Sequence, residues 1–142
     1  MRAVLILLLA CCAAAAKAEL PVAELSAGMY VIRAEVADNF PARTQGLMHR
    51  ESLAQNAGML FVFDEAGIHC MWMKNTLIPL SVAFLDEGGA IVNIADMQPR
   101  SENSHCAARP VRYALEMNKG WFAQRGIKAG TRLRGLEKLP PR

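Results

Sequence analysis

The chain has 142 residues, of which 53% are hydrophobic and 20% charged, with a formal charge of +3. That length fits one domain, and the apolar content excludes general disorder. Aromatic residues make up 6%, too few for a stacking platform on single-stranded nucleic acid.

The N-terminus distorts these totals. Arg2 precedes Ala3–Ala16, an unbroken run of 14 apolar residues, and Ala16-Lys17-Ala18 is a small-x-small site before Glu19. This is the layout of a secretory signal peptide, expected over residues 1–18. The run is too short and too rich in alanine for a spanning anchor. A second cut is conceivable, because Leu8-Leu9-Ala10-Cys11 resembles a bacterial lipobox, with Cys11 lipidated. Without residues 1–18 the 16 basic residues fall to 14 against 13 acids, so the mature charge is +1.

Residues 19–28 read as a linker. Met29–Val36 alternates apolar and polar residues, as a half-buried strand does. Asn39 before Pro41 marks a helix start, and a short helix is expected from Pro41 to about Met48. Gly58–Phe63 is a compact apolar strand candidate, followed by a turn at Asp64–Gly67. Ile68–Lys74 is a further strand candidate. Asp86-Glu87-Gly88-Gly89 between Leu80–Leu85 and Ala90–Met97 signals a hairpin. Gln98–Pro110 is a polar loop, Val111–Met117 a strand, Lys119–Arg125 a helical turn ended by Gly126, and Thr131–Gly135 a last short strand. About seven short strands and little helix predict a single all-β domain, a sandwich or barrel, over residues 29–136, with a tail at 137–142.

Cys70 and Cys106 are the two cysteines left after the leader. In an exported chain they read as one disulfide; two free thiols or a metal pair are the alternatives.

Three blocks, Gly46-Leu47-Met48-His49-Arg50, Gly58-Met59-Leu60-Phe61 and Trp72-Met73-Lys74-Asn75-Thr76, followed by Leu115-Glu116 and Gly120, resemble the DUF192 family over roughly residues 29–136. The resemblance implies a small β-sandwich or jelly-roll-like domain, often exported, and implies no activity, cofactor or catalytic residue. Ser81 stands where the family often has Asp.

The Trp72–Thr76 stretch carries the most chemistry. On a strand, Trp72 and Lys74 share one face. An aromatic wall beside an ammonium suits a sugar, a carboxylate or a peptide end. Asn75 would fix orientation, Glu116 would hold Lys74, and Arg43 and Arg50 would form an anion-friendly rim. A purely structural role for these residues is the competing reading. His69, Met71 and Met73 on the opposite face suggest soft ligands for Cu(I), against simple core packing. Cys106 beside His105 offers a thiol enzyme only if no disulfide forms. No P-loop, GxSxG or HExxH motif occurs.

Charge is polarised. Residues 119–142 hold seven Lys/Arg and one acid, whereas residues 19–118 carry a net −5. The expectation is therefore an exported, non-enzymatic binding or accessory module, periplasmic or lipid-anchored, with no cofactor. Its partner would be a small molecule or an envelope protein. The basic end or a lipidated Cys11 could meet a membrane surface, and nucleic acid is disfavoured.

Overall fold

The computed structural model of the protein describes residues 18–141. The expected leader, Cys11 included, lies outside these residues apart from Ala18. Among the described residues no helix is long and apolar enough to cross a membrane.

Strands β1 (Val22–Ala27) and β2 (Tyr30–Ala37) form an antiparallel hairpin. Helix α1 (Phe40–Gln45) then leads to β3 (Ala57–Gly67), which pairs parallel to β2. The pair β4 (Cys70–Met71) and β7 (His105–Cys106) forms a separate two-stranded ribbon. Strands β5 (Leu80–Leu85) and β6 (Ile91–Met97) make the expected hairpin, and β8 (Val111–Asn118) inserts between β3 and β5. The main sheet runs β1-β2-β3-β8-β5-β6. The domain is all-β, as the turn spacing predicts.

Several expectations change. Residues 22–27 are a strand rather than linker, because Leu25 and Ala27 turn inward opposite Ile32 and Tyr30. Asp64–Gly67 continues β3 instead of turning. The segment at 131–135 makes only isolated bridges, Ala90 to Arg132 and Ser26 to Arg134. Through these it touches both outer edges of the sheet.

Both faces of the sheet are covered, which is why all six residues of β5 are buried. Leu60, Val62, Leu115 and Met117 pack with Trp121, Phe122, Ile127 and Leu133 of the C-terminal segment. Period two sends their neighbours Met59, Phe61, Val82 and Ala114 to the other face. There they meet Leu47, Met73, Ile78 and Ala107. Segments 40–55, 68–79 and 98–110 thus form the second layer, and the candidate site lies within it.

Candidate ligand-binding cleft

One wall of the site is α1. The Asn39 side chain accepts from the Ala42 backbone N–H at 3.0 Å, which caps the helix start beside Pro41. Gly46 ends the helix. This short turn of helix presents Phe40, 74% exposed, and Arg43 on the side of the cleft.

The facing wall is 70–76. Cys70 and Cys106 are disulfide-bonded partners across β4 and β7, with Cα atoms 4.0 Å apart. Beyond Met71 the chain leaves the ribbon. The Met73 N–H donates to the Ser101 carbonyl at 2.8 Å, and the Thr76 N–H donates to the Met73 carbonyl at 3.0 Å. The expected continuous strand through Lys74 is therefore a turn, made by one local and one long-range backbone bond that no alternation pattern encodes. Alternation survives just far enough to bury Met73 and leave Trp72, 47% exposed, and Lys74 outside.

Between these walls lie two adjoining chambers. The outer one, about 210 Å³, is lined by Phe40, Phe61, Phe63, Met71 and Trp72, with Arg43. The inner one, about 30 Å³, shares Arg43, Phe61, Met71 and Trp72 and adds Lys74, Thr76 and Glu116. That volume holds a water molecule or a group of a few heavy atoms.

Glu116 is only 4% exposed. It sits on β8 between Met59 of β3 and Val82 of β5, both fully buried. Among the described residues its carboxyl has no hydrogen bond or ion pair. Burial pushes its pKa up to about 8. The close approach of β3 beneath it needs Gly58, since a Cβ there would lie 2.5 Å from the Glu116 carbonyl oxygen.

The structure brings together Arg43, Trp72, Lys74 and Glu116, but not in the expected pairings. Lys74 Nζ lies 5.2 Å from the centroid of the Trp72 ring and makes no salt bridge to Glu116. Arg43 donates to the Val62 carbonyl at 2.9 Å and to Asp64 at 3.0 Å. Arg50 is not part of the rim. It forms a two-pronged pair with Glu35, at 2.6 and 2.9 Å, beside a larger groove of about 640 Å³ at α1. That groove also takes in Ala18, Leu20 and Pro41. Of its three charged residues, Glu35 and Arg50 satisfy each other and Glu19 is exposed, so the smaller cleft, with its nearly buried Glu116, has the stronger claim on a ligand. Asn75 contributes through its backbone, as its carbonyl accepts from the His49 N–H. Phe40, Phe61, Phe63 and Thr76 were not legible as site residues. The one signal for the floor was an acid interrupting the apolar stretch Ala114–Met117 of β8.

The His69 ring stacks on Phe63 at 3.8 Å, its Nε2 lies 2.9 Å from the Glu65 carbonyl oxygen, and Met73 is enclosed in the core. No group of three or more His, Cys, Asp or Glu side chains fit to hold a metal occurs among the described residues. Cys106 is in the disulfide, so the free thiol that a His105 base would need is not there. Ser81 donates to Asp96 at 2.6 Å and accepts from the Gly120 N–H at 2.9 Å. The carboxylate thus stands on the neighbouring strand, opposite Ser81. The basic C-terminal residues are partly engaged: Arg125 lies over the Trp121 ring at 4.3 Å, and Arg132 donates to the Gly88 carbonyl.

The family model DUF192, described as an uncharacterized ACR, matches residues 23–135. Among solved structures, the chain is similar to a Sinorhizobium meliloti 1021 protein provisionally described as a transcription regulator. The identity is 34% and the TM-score 0.79, over 84% of this chain and 97% of that one. It is also similar to a protein of unknown function from Novosphingobium aromaticivorans DSM 12444. Here the identity is 32% and the TM-score 0.78, over 81% of this chain and 86% of that one. No curated protein matches the chain.

Proposed function

The chain belongs to the DUF192 family, and from that premise we propose that it is an exported, non-enzymatic module that binds a small molecule or a peptide end. The site is the cleft between α1 and the 70–76 turn. One observation carries this reading: a nearly buried carboxyl group with no bonding partner among the described residues, its oxygens still open to the chamber, forms the end of an aromatic-walled cleft. A carboxyl so little hydrated gains from a bonding partner, and polar groups placed at the base of an apolar recess are how small-ligand sites fix orientation. Phe40 and Trp72, both exposed at its mouth, fit a surface that a ligand covers. The disulfide supports export, because such bonds persist in oxidising compartments.

A thermal-shift screen of small acids, amines, amides, sugars and short peptides tests the proposal. The expected hit raises the melting temperature of the protein and loses that effect in Phe40→Ala and in Trp72→Ala. Hits that stabilise both variants as much as the parent bind elsewhere and overturn the cleft assignment. Export is tested by fractionation: protein found only in the cytoplasm, with reduced cysteines, removes that part.

A further inference from the structure

We infer that the ligand of this cleft is an apolar carboxylate, received at the floor by a hydrogen bond with Glu116 and at the wall by the Lys74 ammonium as countercharge. This deepens the reading above and rests on the cleft being the ligand site.

The charges facing the inner chamber decide between ligand classes. From α1 comes Arg43, already held by Asp64 and the Val62 carbonyl. From the 70–76 turn comes Lys74, whose ammonium has no ion pair among the described residues and leans on Trp72. From β3 and β5, the strands flanking Glu116, come Met59 and Val82, which are apolar. Neither flanking strand pairs Glu116 with a charge, Arg43 is spent on Asp64 and the exposed Lys74 makes no ion pair with it, so burial dominates and favours the protonated carboxyl. An apolar site that holds a carboxyl group neutral makes it a hydrogen-bond donor.

With Glu116 neutral, the open charge of the chamber is that of Lys74. A cationic ligand would have to displace the Glu116 proton and lie beside that ammonium. A carboxylate meets one donor at the floor and one cation at the wall. Charge-assisted hydrogen bonds of this kind are the stronger ones. The outer chamber, walled by Phe40, Phe63, Met71 and Trp72, suits an aromatic or short aliphatic body. At neutral pH the ligand arrives ionised and Glu116 already carries its proton, so binding moves no proton. Above pH 8 the site must first take one up.

Three probes of matched shape separate the possibilities: phenylacetate, phenylacetamide and phenethylamine. The readout is the indole N–H signal of Trp72 in the ¹⁵N-labelled protein. Trp121 serves as internal reference, because it is buried and its indole donates to Asn56 at 3.2 Å. Phenylacetate is expected to shift the Trp72 signal at about pH 6.5 and to bind about tenfold more weakly at about pH 9. Glu116→Gln keeps a neutral donor, so it should bind phenylacetate with little dependence on pH. Lys74→Met, at an exposed position, should weaken phenylacetate and leave phenylacetamide unchanged. If phenethylamine moves Trp72 and phenylacetate does not, the carboxylate assignment falls while the cleft stands. If Glu116→Gln retains the full pH dependence, Glu116 is not the donor and the assignment also falls. If none of the three moves Trp72, the carboxylate class is rejected, and the thermal-shift screen judges the cleft independently.

Discussion

The backbone N–H of His49 donates to the carbonyl oxygen of Asn75 at 2.9 Å, and both residues hold positive φ, 64° and 53°. This bond joins the loop after α1 to the turn that carries Trp72 and Lys74, and so fixes the two walls of the cleft against each other. Asparagine tolerates the left-handed region better than most residues, and β-branched residues tolerate it worst. Asn75→Val should therefore cost about 1–2 kcal/mol in urea unfolding, and Asn75→Gly should be near neutral. Equal losses in both would show that the Asn75 side chain matters more than its backbone.

Glu116 makes stability depend on pH in a direction opposite to that of a salt-bridged carboxylate. Its folded pKa, about 8, lies above the ordinary value of 4.5. Between those values the unfolded chain has released the proton while the folded chain keeps it. Stability is then fully present below the lower value and declines as pH rises towards the upper one. The slope from this group is at most about 1.4 kcal/mol per pH unit. Urea melts across this range should show Glu116→Gln gaining on the parent protein as pH rises. Parallel curves would mean that Glu116 titrates as an ordinary carboxyl.

The Cys70–Cys106 bond closes a loop with a sequence separation of 36 and holds the second layer over the sheet. Replacing both cysteines by serine should lower stability by about 2–4 kcal/mol in the loop-entropy account. Chemical denaturation with and without reductant checks this. The parent protein should lose stability in reductant, and the double variant should not respond.

Gly135 has φ 102°, and a Cβ there would lie 2.5 Å from the Glu24 carbonyl oxygen. Gly135→Ala combines that contact with an unfavourable backbone conformation. A loss of about 2–4 kcal/mol is expected from strain of this kind, read as a lower urea midpoint. An unchanged midpoint would mean that the contact between this segment and β1 gives way easily.

Sequence patterns located β2, α1, the β5–β6 hairpin and β8 because each is written locally, in alternation, a cap or a turn. Strand β1 was hidden because Val22–Ala27 alternates only weakly, with Val22 outward and Leu25 the one large residue inward, and lies close to the expected leader. The turn at Met73–Thr76 was hidden because Ser101 and Arg100, far along the chain, help hold it through backbone bonds. Glu116 was legible as an acid within the apolar stretch Ala114–Met117. Its isolation was not, since Lys74 could as well have reached it as Trp72.

The isolated bridges at Arg132 and Arg134 place one segment against both outer edges of the sheet. Those edges, β1 and β6, belong to parts of the chain synthesised well before it, and the central strand β8 is itself late. Contacts so distant in sequence form slowly. During synthesis neither the sheet's middle nor its edges can be completed until nearly the whole chain has emerged. With this order of parts, the sheet gains its last edge contacts only when residues 131–135 are in place.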